Sequence, residues 1–208
     1  MKDVAQETWN NRYLARPSPG FERDDWLANW QAELDTQPRG YALDIGAGYG
    51  LDSATLCQQG FQTAACDFSE AALKSCHQRV ADALPVQLNL DSGRLPFIDD
   101  CFNVVCASLT LHYFDWPTTE ALCAEIHRCL TPEGILLARF NSVNDIYHGA
   151  NDGEEIDTNL RLINGNKKRF FTQDCLDRLF TDWEILFLEE KTMRQFEQPK
   201  IAWELAAK

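Results

Sequence analysis

No apolar run in this chain of 208 residues reaches the roughly 18 residues that a membrane span requires, so no transmembrane helix is expected. The opening segment Met1–Tyr13 lacks the apolar core of a secretory leader, and a cytoplasmic protein is the expectation. Basic residues are scarce, with 19 Lys and Arg against 32 Asp and Glu and a net charge of −13. Nucleic-acid binding needs a basic face, so no nucleic-acid partner is expected. The one compact basic cluster, Lys167-Lys168-Arg169, reads as a solvated loop. Repeats and low-complexity tracts are absent. The eight cysteines form no Cys-x-x-Cys pair, and the four histidines do not fall at ligand spacing, so no metal site is expected.

What is present is the composition of a folded domain. Hydrophobic residues make up 45% of the chain, enough for a sizeable core. Several cysteines lie inside apolar stretches such as Val104-Val105-Cys106, which fits reduced thiols packed as small hydrophobes.

One domain is expected, in four parts. Residues 1–37 form an amphipathic helical segment, split into two helices at Arg16-Pro17-Ser18-Pro19-Gly20. Residues 38–140 alternate strand and helix patterns. Tyr41–Ile45 reads as the first strand, Asp52–Gln59 as a helix and Gln62–Cys66 as the second strand. Ser69 caps a helix over Glu70–Ala83, and Val86–Asn89 is the third strand. Phe102–Ser108 is nearly all apolar, as a strand buried on both faces should be. A helix over Thr118–Leu130, a turn over Thr131–Gly134 and a strand over Ile135–Phe140 follow. Residues 141–170 are polar and read as a lid-like insertion with a short helix at Glu155–Leu162. Residues 171–208 carry a helix over Thr172–Phe180 and two strands, Trp183–Leu188 and Ile201–Ala206. The fold class is α/β: a seven-stranded, mostly parallel Rossmann-like sheet with helices on both faces and an antiparallel C-terminal edge hairpin.

The chemistry concentrates where the first strand ends. Leu43-Asp44-Ile45-Gly46-Ala47-Gly48-Tyr49-Gly50 closes a strand and opens a helix, and glycines there let a backbone approach a ligand closely. The spacing is Gly-x-Gly-x-Gly. The dinucleotide fingerprint needs a glycine where this chain has Leu51. Asp67 closes the second strand, where a carboxylate can accept from both hydroxyls of a ribose, and Phe68 beside it offers a flat face for a base.

Taken in order, these segments resemble the catalytic domain of class I S-adenosylmethionine-dependent methyltransferases. Ala42–Gly50 is similar to that family's first motif, and Asp67-Phe68-Ser69 to its acidic strand end. Asn89–Phe97 with Asp100–Val105, then Ser108–His112 and Leu130–Gly134, resemble its later motifs. The small proteins of the tellurite-resistance and thiopurine methyltransferase-like groups are the nearest in size. Asn103 stands where the family often has Asp.

The resemblance implies S-adenosylmethionine as cofactor and S-adenosylhomocysteine as product. It places Gly46 and Gly48 against the methionine part, with Asp44 orienting the ammonium. Asp67 would hold the ribose and Phe68 would flank the adenine. Asp91 would accept from the adenine amino group, the Ser92 backbone N–H would meet a ring nitrogen, and Ser108 would line the sulfonium end.

Methyl transfer is an in-line displacement, so orientation in a shaped pocket can supply roughly 7–11 kcal/mol of the barrier. A general base is needed only when the nucleophile arrives protonated. Candidate bases are His112, after the fourth strand, and His148, in the insertion. Trp9 and Tyr13 of the first helix, with Asn144 and Tyr147 of the insertion, are candidate substrate contacts. The expected reaction methylates a small-molecule nucleophile, with no membrane partner. A scaffold that binds the cofactor without catalysis is the alternative on the same fold. A dinucleotide oxidoreductase is disfavoured, because neither its glycine fingerprint nor a Tyr-x-x-x-Lys set is present.

Overall fold

The computed structural model describes residues 4–15, 26–193 and 196–208. The expected break at Arg16-Pro17-Ser18-Pro19-Gly20 lies outside the described residues. Helix α1 spans Val4–Ala15, and a 3-10 turn over Trp26–Trp30 leads into α2, Gln31–Thr36. The succession then runs β1 (Tyr41–Ile45), α3 (Leu51–Gln58), β2 (Gln62–Asp67), α4 (Glu70–Arg79), β3 (Leu84–Gln87), β4 (Phe102–Ser108), α5 (Trp116–Cys129) and β5 (Leu130–Asn141). After it come β6 (Glu154–Asp157), β7 (Leu160–Ile163), β8 (Asn166–Arg169), α6 (Gln173–Leu179), β9 (Ile185–Met193) and β10 (Lys200–Ala207).

The seven-stranded sheet has the order β3-β2-β1-β4-β5-β10-β9. Its first five strands pair in parallel, and β10 lies antiparallel between β5 and the outer strand β9. That is the expected mostly parallel sheet with an antiparallel pair at its edge. Both faces are covered, as the unbroken apolar run of β4 requires. Val105 and Ala107 pack with Leu122, Ile126 and Cys129 of α5 and Leu176 of α6. Their neighbours Val104 and Cys106 pack on the other face with Trp26, Leu27, Trp30 and Leu34.

Capping sets the helix starts. Ser69 accepts from the Ala72 amide (3.1 Å), Asp115 from Thr118 (3.1 Å) and Thr172 from Cys175 (3.2 Å). Each such bond satisfies an amide the helix itself leaves open and stabilises by about 1 kcal/mol. Asp115, with Pro117 in the first turn, starts α5 two residues before the expected Thr118.

Four expectations are corrected. The helix after Ser69 ends at Arg79 rather than Ala83, and the third strand is Leu84–Gln87 rather than Val86–Asn89. Pro85 forces the residue before it into extended backbone, and Pro is tolerated because β3 is an edge strand. Thr131–Gly134 is a bulge inside β5 rather than a turn before it. Phe102 pairs with Leu130 and Val104 with Ile135 across the shift. The expected helix at Glu155–Leu162 is absent, replaced by the antiparallel sheet β6-β7-β8. Asn164 and Gly165 both take positive φ (51° and 78°) between the paired Ile163 and Asn166. That is the two-residue hairpin geometry Asn-Gly favours, and it decides the local structure.

Candidate active site

The strand order reverses between β1 and β4: later strands are added on one side of β1 as β2 and β3, and on the other as β4 and β5. Loops leaving such a switch point diverge and open a crevice beyond the carboxyl ends of the strands. A cavity of about 890 Å³ lies there. Its walls include Gly46 after β1, Asp67 and Phe68 at the end of β2, Leu88–Asp91 after β3, Ser108 at the end of β4 and Asn141 at the end of β5.

One half is built by the glycine turn. The Gly46 and Ala47 amides both donate to the Cys66 carbonyl, at 2.8 Å each, folding the chain back over β2. Gly46 has φ +74°, and a Cβ there would come within 2.1 Å of the Thr110 hydroxyl. Asp67 accepts from the Gly48 amide on one oxygen (2.9 Å) and from the Ser69 amide on the other (2.8 Å). Each oxygen keeps acceptor capacity, and the carboxylate borders the cavity beside Phe68. Burial pushes its pKa up against the pull of these amides. Asn89 accepts from the Asp91 amide (2.9 Å), a local cap that carries Asp91 to the cavity wall.

Asp44, Gly48 and Ser92 do not border the cavity. Asp44 is buried behind the turn, where it accepts from the Ser53 hydroxyl (2.6 Å). Burial, then the neighbouring Asp52 carboxylate, push its pKa up to about 8. The Tyr13 hydroxyl sits against Gly48, 2.8 Å from where a Cβ would be. Ser92 is exposed in the 3-10 turn after β3.

Helix α1 forms a wall of this half. Its Gln6 side chain donates to the Phe68 carbonyl (3.1 Å). Asn10 Oδ1 accepts from the Ser69 hydroxyl (2.7 Å) and the Ala71 amide (3.2 Å), satisfying a free N–H of α4 from another element. Trp9 meets Tyr113 edge-on at 5.2 Å, and Tyr13 meets Tyr49 at 4.9 Å. Trp9 and Tyr13 border the cavity.

The other half lies past β4. Ser108 accepts from the Arg139 guanidinium (2.8 Å), and the next residue, Leu109, takes φ +54°, a left-handed conformation uncommon for a branched side chain. The chain then turns through Leu111–Tyr113 and brings His112 to the cavity. His112 is 2% exposed, and neither ring nitrogen has a partner among the described residues. Burial, then the charges of Lys168 and Lys200, hold its pKa well below the ordinary value, so the imidazole is neutral. His148 also borders the cavity, but it is engaged: Nε2 lies 3.0 Å from the Gln198 carbonyl, and the ring meets Phe196 edge-on. Asn144 and Tyr147 do not line the cavity. Asn144 donates to Glu190 (3.0 Å), and Tyr147 is 61% exposed.

Residues the sequence did not single out complete this half. Lys168, expected in a solvated loop, lies on β8 and borders the cavity, and Lys200 at the start of β10 borders it too. Lys200 donates to Asn141 Oδ1 (2.7 Å) and Asp145 (2.6 Å). Nothing in the local pattern marks either lysine, because a three-stranded sheet and an antiparallel strand bring them in. The missed signal was the Asn164-Gly165 dipeptide, which fixes β8.

Residues 43–138 match the family described as "Methyltransferase domain". A demethylmenaquinone methyltransferase of Corynebacterium kroppenstedtii is 32% identical over 111 residues, 53% of this chain and 46% of that protein. The mitochondrial arginine-hydroxylase NDUFAF5 of Mus musculus is 36% identical over 112 residues, 51% of this chain and 30% of that protein. The chain spans less than half the length of the curated relatives it matches. Among solved structures, the Burkholderia thailandensis 1,6-didemethyltoxoflavin-N1-methyltransferase, with its substrate and S-adenosylhomocysteine bound, superposes with a TM-score of 0.70 at 20% identity. It covers 98% of this chain and 86% of that one.

Proposed function

We propose that the chain, whose residues 43–138 match the methyltransferase-domain family, is a class I S-adenosylmethionine-dependent methyltransferase and that it methylates a small-molecule nucleophile. The observation that carries the proposal is Asp67: a carboxylate with both oxygens anchored by backbone amides, bordering the crevice beside Phe68 and the Gly46 turn. Two further acceptors in that position suit the vicinal hydroxyls of a ribose, and Phe68 suits the flat face of adenine. Gly46 has no room for a side chain, because Thr110 lies where its Cβ would be, and its bare backbone at the cavity wall suits the close approach of the methionine part. Asp91 is the proposed partner of the adenine amino group. Asp44, set behind the turn, would act on the ammonium through the turn's field or a water rather than by direct contact.

When bound, S-adenosylmethionine supplies a methyl group on a sulfonium, which the acceptor's lone pair takes as the carbon–sulfur bond breaks and its electrons pass to sulfur, leaving S-adenosylhomocysteine. The chain's part is to orient and to exclude water. Ser108 and the left-handed Leu109 shape the junction between the two halves, and Trp9, Tyr13 and Tyr113 cover it. His112 is the preferred candidate to hold a protonated acceptor: its neutral ring keeps a lone pair and an N–H without partners among the described residues, whereas His148 already holds Gln198.

A turnover assay tests this. The protein, methyl-labelled S-adenosylmethionine and a pool of small-molecule nucleophiles are incubated, and S-adenosylhomocysteine and labelled product are followed by mass spectrometry. We expect acceptor-dependent release of S-adenosylhomocysteine, at least tenfold slower in His112→Leu. Cofactor binding without transfer to any acceptor would favour the non-catalytic alternative.

A further inference from the structure

Charge is unevenly spread round the cavity, which Arg12 of α1 also lines. Asp67 and Asp91 border the half assigned to the cofactor, and Lys168 and Lys200 border the other, together with Asn141 and His112. This basic end belongs to a chain whose net charge is −13, so general surface composition does not account for it.

The donors there are unevenly used. Lys200 is ion-paired with the buried Asp145, at 2.6 Å, and its charge is compensated. The same lysine occupies Asn141 Oδ1, which orients the amide so that its Nδ2 group remains. Asn141 is fully buried, and Nδ2 has no partner among the described residues. A buried donor without a partner destabilises the fold, and one kept at a cavity wall is accounted for by a ligand group that accepts from it. Lys168 donates to the His148 carbonyl and lies 5.1 Å from the Phe170 ring, with no carboxylate partner among the described residues. Asp115, the acidic side chain on this part of the wall, is 3.9 Å from Lys167. Both carboxylates at this end thus face other lysines, and Lys168 is left without one among the described residues.

We propose that the methyl acceptor is a small organic molecule anchored by an oxyanion, held by Lys168 and by the Asn141 side-chain amide in the half of the cavity opposite Asp67. The proposal rests on the methyltransferase reading for its orientation: the cofactor fills the Asp67 half and the acceptor's anchor lies in the other. His112, neutral and with neither nitrogen partnered among the described residues, then faces the acceptor between anchor and methyl group. The aromatic walls Phe114 and Phe196 suit a planar body behind the anchor. A desolvated lysine and a buried amide discriminate strongly, because a ligand without the anion leaves both without partners.

The test is calorimetric titration at pH 7 of matched acids, amides and amines: benzoate, benzamide and benzylamine, and the corresponding 2-naphthyl set. Each is titrated with and without saturating S-adenosylhomocysteine, into wild type, Lys168→Met, Lys168→Arg and Asn141→Ala. At least one acid should bind ten or more times tighter than its amide and its amine. Lys168→Met and Asn141→Ala should each weaken that acid at least tenfold, and Lys168→Arg less than threefold. S-adenosylhomocysteine affinity should stay within twofold in the Lys168 variants, which also shows that they are folded. The proposal is overturned if no acid outbinds its amide, or if Lys168→Met binds the acid like wild type. Failure of S-adenosylhomocysteine to bind wild type contradicts the methyltransferase reading instead, and the titrations without it still decide the anchor.

Discussion

Asp44 shows how one buried carboxylate can tie cofactor binding to pH. Its neighbours are Ser53, which donates to it, and the acidic or ionisable Asp52, Cys106, Cys66 and Asp67. No cation among them offsets its burial, and the pKa rises from 3.8 to about 8. Because the folded value lies above the unfolded one, the folded chain binds the proton more tightly between those limits. Stability is therefore fully present below about 4 and falls as pH rises toward 8. Asp44→Asn should flatten this slope in denaturant titrations at pH 5 and pH 8. An ammonium group bound near the turn reverses the preference, since it favours the carboxylate. Binding of S-adenosylmethionine at pH 7 should release protons from wild type and not from Asp44→Asn. Calorimetry in two buffers of different ionisation enthalpy reads that difference, and equal proton release from both proteins would remove Asp44 from the account. The importance of Asp44 was legible in the first motif, but its lack of contact with the cavity was not, because a strand's alternation does not say which loop folds over its end.

Helix α1 is expected as an amphipathic segment that offers Trp9 and Tyr13 to a substrate, and the structure adds how it is held beside the crevice, through Gln6, Asn10 and Tyr13. Asn10→Ala removes the acceptor for the Ser69 hydroxyl and the Ala71 amide. S-adenosylhomocysteine should then dissociate about three to ten times faster in stopped-flow displacement, a loss of roughly 1 kcal/mol, in the range of a lost cap. An unchanged dissociation rate would make α1 a brace rather than a cover. Other elements differ in how openly the sequence shows them. Strands β1, β2 and β4 and helix α5 are bounded by glycine, a cap or proline, and their apolar residues recur at the right period, so sequence and structure agree on them within one or two residues. Strand β6 is Glu-Glu-Ile-Asp and exposed throughout, and it has no buried face to impose a period of two. Only the Asn164-Gly165 turn betrayed that sheet.

At the scale of the whole molecule, the two halves of the cavity differ in how the chain encodes them. The cofactor half comes largely from consecutive strand ends between Gly46 and Ser108, so each part carries a local motif. The acceptor half draws His112, Asn141, Lys168 and Lys200 from four separate elements. No short segment contains the pattern, and long-range pairing of β10 with β5 is needed to set Lys200 beside Asn141. This is why the cofactor was legible from the sequence and the oxyanion anchor was not. The central claim is that the crevice at the β1–β4 switch point takes an adenosyl cofactor on Asp67 and not a dinucleotide. Calorimetric titration of wild type and Asp67→Ala with S-adenosylmethionine, S-adenosylhomocysteine and NAD tests it most directly. Wild type should bind the first two at micromolar concentration and NAD not detectably, and Asp67→Ala should lose both adenosyl ligands. NAD binding in their place, or adenosyl binding that survives the loss of Asp67, would contradict it.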